Sequence, residues 1–141
     1  MKAKAAVMRE AHAPLTIEEI EVDKPARREV LVRTVFAGVC HSDLHFIEGL
    51  YPIPCPCVLG HESAGVIEAV GEDVTYVKPG DHVITCLSTF CGECEFCLTG
   101  RMTLCESPMV KRPNDGQQRL TQNGEVVGQF ANLSSYAEMI L

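Results

Sequence analysis

Four cysteines between Cys91 and Cys105 have the spacing of a metal-binding cluster. The first three are each separated by two residues and the fourth follows after seven more: Cys91, Cys94, Cys97 and Cys105. Zinc is the expected ion, because it binds four thiolates at about 2.3 Å in a closed tetrahedral site. A disulfide cluster or buried free thiols are the alternatives, but paired CxxC spacing is typical of metal sites. The spacing predicts a structural zinc lobe over about residues 89–112, where Lys111 and Arg112 can offset the thiolate charge.

A second group of possible ligands lies upstream, at Cys40 and His61. A thiolate and an imidazole are ligands that catalytic zinc accepts, and such a site keeps one position open for water or substrate. Asp43 can orient a metal-bound histidine through its second ring nitrogen, and Glu62 can do likewise or approach the metal itself. Taken singly, Cys40 is better explained as a small buried residue and His61 as a hydrogen-bonded core residue. Their combination favours a catalytic metal site.

Short β-strands separated by glycine and proline must carry these groups. Alternating apolar residues predict strands over 15–22, 30–36, 65–70, 82–87 and 136–141, with Phe130 also in the sheet. We expect a bulge or bend near Glu18 and Glu19, because the alternation is imperfect there. Many short strands with little helical periodicity indicate a small barrel or sandwich.

One short helix is predicted from Ser42 to about Ile47, directly after Cys40. Ser42 or Asp43 is the expected cap, and Gly49 is expected to end the helix. The polar, Gln- and Asn-rich segment 111–124 is predicted to be an exposed loop.

Composition excludes several classes of function. A chain of 141 residues suits one compact domain, and its net charge of -7 would repel a nucleic acid backbone. We find no run approaching the roughly 20 apolar residues that cross a bilayer, so membrane binding is not expected. Eight cysteines without a signal-peptide pattern at the N-terminus favour a reducing cytoplasmic location.

Almost the whole chain resembles the zinc-dependent, medium-chain alcohol dehydrogenases. The likeness is carried by four segments: Gly38-Val39-Cys40-His41-Ser42-Asp43-Leu44-His45, Gly60-His61-Glu62 with Gly65 after it, Val77-Lys78-Pro79-Gly80-Asp81-His82-Val83, and the four-cysteine lobe. The resemblance implies a GroES-like β-barrel catalytic domain over residues 1–141, mainly β with short helices and the zinc lobe. It also implies two zinc ions, a catalytic one on Cys40 and His61 and a structural one on the four cysteines.

The resemblance also implies roles for three residues around Asp43. Ser42 matches the hydroxyl that contacts the zinc-bound alcohol. His45 matches the solvent end of a proton relay that runs from Ser42 through the cofactor ribose, so it is also a candidate for cofactor binding. His41 matches a position near the cofactor pyrophosphate, although a solvated histidine at a helix start explains it equally well. The cysteines that match neither metal set are expected not to be ligands: Cys55, Cys57 and Cys86.

The implied reaction is the oxidation of a primary or aromatic alcohol to an aldehyde, with hydride transfer to NAD or NADP. Leu87 matches a substrate-lining position, Phe130 is a candidate for another, and Tyr51 is a candidate for the pocket entrance. Each of the three is equally explained as ordinary core, and none of them selects one alcohol.

The chain departs from the family in what it lacks. It contains no Gly-x-Gly-x-x-Gly, so the dinucleotide-binding Rossmann domain is expected elsewhere, and the third protein ligand of the catalytic zinc is expected beyond Leu141. We therefore expect an N-terminal portion of a longer, homo-oligomeric dehydrogenase that is inactive alone. The alternative is a freestanding, non-catalytic zinc-binding module.

Overall fold

A computed structural model describes residues 1–107 and 118–141 and consists mainly of β-strands. In chain order the strands are β1 (Lys2–Met8), β2 (Thr16–Val22), β3 (Val30–Ala37), β4 (Cys57–Val58), β5 (Ser63–Val70), β6 (His82–Ile84), β7 (Leu120–Gln122), β8 (Glu125–Val126), β9 (Gly128–Gln129) and β10 (Met139–Ile140). Two short α-helices accompany them, α1 (His41–Ile47) and α2 (Glu95–Leu98), with 3-10 turns at Met102–Leu104 and Phe130–Asn132. The prediction of a mainly β architecture with short helices is confirmed.

Two sheets are joined into a nearly closed barrel. One sheet has the order β8-β7-β2-β1-β4-β9 and the other has the order β10-β3-β5-β6. The segment that leads into β10 lies between them: the Glu138 N–H donates to the Lys4 carbonyl at 2.9 Å, and the Glu138 carbonyl accepts from the Thr34 N–H at 2.9 Å. Register shifts between β3 and β5, after Leu31 and after Thr34, mark bulges of the kind that curve a sheet.

The barrel interior is filled by the alternate residues of its strands. In β1 the buried residues Ala3, Ala5 and Val7 alternate with Lys2 and Lys4. Because successive side chains of a strand point to opposite faces, this pattern turns one face of β1 into the core. The same core contains Ile20 and Val22 of β2, Leu31 and Val32 of β3, Ile67 of β5, and Met139 and Ile140 of β10.

A second, smaller apolar cluster supports helix α1. Its fully buried members are Met8, Cys57 and Leu59, and Phe46 and Ile47 of the helix pack against them. Fully burying an apolar side chain of this size contributes about 1.5–3 kcal/mol, so the cluster fixes α1 against the barrel. The residues at the start of α1 are thereby held beside the segment that precedes β5.

Two expectations about the strands are wrong, and β1 was missed. β2 pairs with β1 in continuous register, so the bulge predicted near Glu18 and Glu19 is wrong. The imperfect alternation arises because Ile17 points outward and is 72% exposed. β1 was not predicted, since alanine is a weak strand signal, and Phe130 begins a 3-10 turn instead of lying in a strand.

No helix in the described part of the chain is long and apolar enough to cross a membrane.

Candidate metal centres

The four cysteines of the lobe converge as their spacing predicts. Their ligand atoms all lie within 4.8 Å of one another. The Sγ–Sγ distances are 3.5 Å for Cys94–Cys97, 3.9 Å for Cys91–Cys97 and 3.9 Å for Cys94–Cys105. A tetrahedron with sulfurs about 2.3 Å from its centre has edges of about 3.8 Å, whereas a disulfide bond is about 2.05 Å long. The geometry therefore fits a tetrahedral ion and does not fit a disulfide cluster.

Local backbone geometry brings these sulfurs together. Cys94 is the N-cap of α2, and the left-handed glycines Gly92 and Gly100 stand at the turns before and after this helix. Backbone N–H groups of Glu93 and Cys94 point at the Cys91 sulfur, at 3.4 and 3.3 Å. These donors lower the pKa of the Cys91 thiol to about 6. The Cys91 sulfur is thereby prepared to act as a thiolate ligand.

The other cysteines of the lobe do not share this environment. Burial raises the pKa of the Cys97 thiol to about 11. A divalent ion among the four sulfurs would supply the positive charge that makes a Cys97 thiolate favourable, because metal binding releases thiol protons. The donor set therefore fits zinc chemically as well as geometrically.

Arg28, just before β3, ties the lobe to the barrel. Its Nη2 donates to the Cys91 carbonyl at 3.0 Å, and its Nη1 lies 3.6 Å from a carboxylate oxygen of Glu93. This contact joins residues that are 63 positions apart, so no local spacing could have indicated it. Lys111 and Arg112, proposed from the sequence to offset the thiolate charge, lie outside the described residues, as does the first half of the predicted loop 111–124. In the described half the prediction of an exposed loop is wrong, because Leu120–Gln122 forms strand β7 and Leu120 is 1% exposed.

A second cluster forms between the start of α1 and the segment that enters β5. Cys40 is the N-cap of α1, and its sulfur, a His61 ring nitrogen and a Glu62 carboxylate oxygen lie within 4.8 Å of one another. His61 is buried, whereas Glu62 is exposed. His61 Nε2 lies 4.0 Å from the Glu62 carboxylate and 3.3 Å from the Ser42 hydroxyl. A thiolate, an imidazole and a carboxylate are ligands that a catalytic zinc ion accepts.

Asp43 stands behind His61, on the side away from this cluster. It is 1% exposed, and its Oδ1 lies 3.3 Å from His61 Nδ1 and accepts the Gly60 N–H at 3.0 Å. Because a carboxylate only accepts hydrogen bonds, this contact places the imidazole proton on Nδ1 and leaves the Nε2 lone pair free. Nε2 is the nitrogen that faces Cys40 and Ser42.

Two glycines make room for these side chains. Gly60 has φ +90°, and a Cβ there would lie 2.4 Å from the Ser135 hydroxyl and 2.8 Å from the Tyr136 backbone nitrogen. A Cβ on Gly38 would lie 2.3 Å from a Glu62 carboxylate oxygen. A larger residue at position 60 would disturb the chain immediately before His61, and one at position 38 would displace Glu62.

The helix begins one residue earlier than predicted and is not capped by Ser42 or Asp43. Cys40 is its N-cap, without a side-chain cap hydrogen bond, and Gly49 follows the C-cap with φ +70° as expected. Ser42 lies instead with its hydroxyl 3.2 Å from the Cys40 sulfur. Ser42 and Asp43 lie inside the first turn of the helix, after its N-cap, and their side chains contact Cys40 and His61.

The other residues named from the sequence lie around this centre. The His45 ring centroid is 4.8 Å from that of His41 and 5.5 Å from that of Tyr51. Phe130 packs edge-on against His61 with 5.6 Å between ring centroids, whereas Leu87 is 53% exposed. The roles proposed for these residues stay predictions.

Two further observations complete the picture of the sites. Cys55 and Cys86 are exposed, and burial raises the pKa of the Cys57 thiol to about 12, so none of the three joins either cluster among the described residues. Tyr136 also belongs to this site, although the sequence did not indicate it as a site residue. Its hydroxyl donates to Asp43 Oδ2 at 3.0 Å, and the two residues are 93 positions apart in the chain.

The chain is similar to known alcohol dehydrogenases over almost all of its length. The family model described as the alcohol dehydrogenase GroES-like domain matches residues 26–140. An NDMA-dependent alcohol dehydrogenase from Amycolatopsis methanolica is 45% identical over 98% of this chain and 38% of its own length. Among solved structures, an alcohol dehydrogenase zinc-binding domain protein from Burkholderia ambifaria is 40% identical with a TM-score of 0.86, covering 99% of this chain and 39% of that one. Benzyl alcohol dehydrogenase from Acinetobacter calcoaceticus is 36% identical with a TM-score of 0.81, covering 99% and 38%.

The chain thus spans about two fifths of the length of these relatives. The likeness extends over both candidate metal centres, since the matched range of the family model begins before Cys40 and ends after Cys105.

Proposed function

Because the chain belongs to the alcohol dehydrogenase GroES-like domain family, we propose that it is the catalytic domain of a zinc-dependent enzyme that oxidises primary or aromatic alcohols to aldehydes by hydride transfer to NAD or NADP. The observation that carries the proposal is the meeting of Cys40, His61 and Glu62 within 4.8 Å, with the Ser42 hydroxyl beside them. Zinc bound there would act as a Lewis acid that lowers the pKa of an alcohol hydroxyl.

Some side chains of the cluster are proposed to bind the zinc ion and another is proposed to transfer the proton. Cys40 Sγ and His61 Nε2 are the proposed zinc ligands, and the Glu62 carboxylate is close enough to approach the ion as well. Ser42 Oγ lies 3.2 Å from the first ligand atom and 3.3 Å from the second. A hydroxyl so close to both can take the proton of a bound alcohol while it passes its own proton on toward His45, so Ser42 is proposed as a relay in general acid–base catalysis.

His45 and His41 are proposed to act on the solvent side of the helix. His45 is half-buried, one turn of α1 after Ser42, and is our candidate for the later acceptor of the proton. The exposed His41 is our candidate for a contact to the cofactor. Asp43 is proposed to hold His61 in the tautomer that binds metal, as its Oδ1 contact at 3.3 Å supports.

We extend the proposal to the whole protein. It would hold two zinc ions, one in each cluster, and would include a Rossmann domain that binds the cofactor and form a homo-oligomer. Residues 1–141 would form the GroES-like domain, with the zinc lobe at about 89–112. A cytoplasmic location is proposed as well, because eight free cysteines suit a reducing compartment. Light scattering would test the assembly.

The test compares wild type, Cys40→Ala and the matched control Cys55→Ala in the intact protein. Benzyl alcohol and a short primary alcohol are supplied with NAD, with NADP, and with either cofactor plus NDMA, the compound in the name of the Amycolatopsis relative. We expect wild type and Cys55→Ala to hold two zinc ions and to oxidise alcohol. Cys40→Ala should release one zinc ion and lose about 4 kcal/mol of transition-state stabilisation. The rate of alcohol oxidation should therefore fall about 10³-fold.

Two results would count against the proposal. If wild type retained zinc but oxidised no alcohol with any acceptor, the freestanding zinc-binding module would be the better account. If Cys40→Ala kept both ions and full turnover, the assignment of the catalytic cluster would be wrong.

A further inference from the structure

Tyr136 is linked to the candidate catalytic centre through Asp43. Its hydroxyl donates to Asp43 Oδ2 at 3.0 Å, while Oδ1 of the same carboxylate lies 3.3 Å from His61 Nδ1. A chain of hydrogen bonds therefore runs from Tyr136 through Asp43 to His61. From the sequence, Tyr136 is only the first residue of a predicted strand, and the proposed reaction does not use it.

The backbone around Tyr136 is fixed to the segment that carries His61. The Tyr136 N–H donates to the Leu59 carbonyl at 3.1 Å, and the Ser135 N–H donates to the Gly60 carbonyl at 3.0 Å. On its other side, the Tyr136 carbonyl accepts from the Ala6 N–H of β1 at 2.8 Å. The phenol is thus held between β1 and the residues immediately before His61, and its ring packs against both apolar clusters.

Asp43 needs the donor that Tyr136 provides. The carboxylate is 1% exposed, so bulk water has little access to it. Among the described residues 1–107 and 118–141, Oδ1 accepts hydrogen bonds from the Gly60 N–H and from His61 Nδ1. Oδ2 accepts one from the Tyr136 hydroxyl. A buried carboxylate oxygen that loses its donor is destabilised, and the side chain rotates to recover one. Such a rotation would move Oδ1 away from His61.

We propose that Tyr136 is a positioning residue: by holding Asp43 Oδ2, its hydroxyl keeps Oδ1 on His61 Nδ1 and so directs His61 Nε2 toward Cys40. The inference rests on the proposed function in one respect, since it takes Cys40 and His61 as metal ligands. Burial and the hydrogen bond to Asp43 raise the pKa of Tyr136, which favours the protonated hydroxyl that can donate. Mutation of a residue that orients a metal-binding histidine through its second ring nitrogen typically lowers metal affinity about 10–100-fold.

The test replaces the catalytic-site zinc of the intact protein with Co²⁺, whose visible absorption reports ligand geometry. Tyr136→Phe removes the hydroxyl alone, and Tyr76→Phe is the matched control because Tyr76 is 87% exposed. We expect Tyr136→Phe to weaken Co²⁺ binding at this site about 10-fold and to shift its absorption, while the lobe's metal is unaffected. Tyr76→Phe should match wild type in both.

A purely structural role for Tyr136 predicts a different result. Tyr136→Phe would then lower the melting temperature but leave the Co²⁺ affinity and spectrum unchanged, which would overturn the inference. If Tyr136→Phe does not fold, site-specific 3-fluorotyrosine at position 136 alters the donor strength and nearly preserves the ring volume. A shift of the same absorption band is then expected, and an unshifted band would overturn the inference.

Cys40→Ala separates this inference from the proposed function. If Cys40→Ala leaves Co²⁺ binding intact, the ligand assignment itself fails. If Cys40→Ala abolishes binding while Tyr136→Phe changes neither affinity nor spectrum, only the role of Tyr136 fails.

Discussion

The two candidate metal centres are assembled in opposite ways. The lobe takes all four sulfurs from the stretch between Cys91 and Cys105 and orders them with backbone donors from the same stretch. The other centre brings Cys40 and His61 together from a helix start and a strand entrance, and Asp43 and Tyr136 support it from behind. The first depends on local spacing and the second on closure of the barrel. They should therefore respond differently to the same kinds of mutation.

The largest difference is expected when a lobe sulfur is removed. Cys97→Ser should release the lobe's zinc and leave the second ion bound, since the centres share no residue. Losing about 2 kcal/mol of stability predicts a fall in melting temperature of about 6–10 °C. Zinc analysis and thermal unfolding measure both effects, with Cys86→Ser as the control at an exposed cysteine. Retention of two ions by Cys97→Ser would contradict the four-sulfur site.

A smaller, reciprocal effect is expected behind His61. Asp43→Asn keeps the side-chain shape but replaces an acceptor with a donor, so the Gly60, His61 and Tyr136 donors cannot all be satisfied. Zinc affinity of this centre should fall about 10–100-fold while the lobe keeps its ion. Chelator competition measures the zinc affinity of each centre separately. The control, Asp73→Asn at the barrel surface, should change neither affinity. An equal loss from both centres would show that the barrel as a whole had weakened.

Glu18 provides a way to weaken the barrel without approaching either centre. Hydrogen bonds from Arg9, Thr16 and Gln122 lower the pKa of Glu18 from 4.5 to about 2. Because the carboxyl pKa is lower in the folded state than in the unfolded state, the Glu18 carboxylate stabilises the fold at every pH above the unfolded-state pKa of about 4.5. This stabilisation is lost as the pH falls from about 4.5 toward 2. Glu18→Gln should therefore cost about 1–2 kcal/mol at pH 7, after allowance for solvent screening, and progressively less in acid.

Urea unfolding of wild type and Glu18→Gln at pH 7 and pH 3 measures that difference. Both proteins should hold two zinc ions at pH 7, which separates barrel stability from metal binding. A difference in stability that grew on acidification would contradict the lowered pKa.

The smallest effect is expected at the contact between lobe and barrel. Arg28→Met removes the donor to the Cys91 carbonyl, and because the arginine is 40% exposed, water can replace much of it. The rate of zinc release from the lobe to a chelator should rise only about 2–3-fold, as expected for about 0.5 kcal/mol. Arg27→Met is the control, since Arg27 pairs with Glu72 and Asp73. A loss of all lobe zinc would mean that the lobe is not locally determined.

The contrast also explains how far the sequence could predict the structure. The lobe was predictable because its ligands, glycines and turns are neighbours in the chain. β3 and β5 were predictable from alternation, but β1 was not, because Ala3 and Ala5 carry little strand preference. The outward Ile17 looked like a broken pattern and led to a bulge that is absent from the paired strands.

At the second centre the sequence indicated the ligands and not their support. Cys40, Asp43 and His61 could be named from their chemistry, yet whether they met depended on long-range pairing. Tyr136 could not be found, since it reaches Asp43 only because Ser135 and Tyr136 pair with Leu59 and Gly60. The predicted helix cap was wrong because Ser42 and Asp43 lie inside the first turn of α1, after the N-cap residue, and their side chains contact Cys40 and His61.

Anomalous scattering at the zinc absorption edge, from crystals of the intact protein, would locate both metal ions. Two zinc peaks are expected, one enclosed by the four lobe sulfurs and one bonded to Cys40 Sγ and His61 Nε2. A single peak, a second peak away from Cys40 and His61, or lobe sulfurs bonded to each other would contradict this assignment.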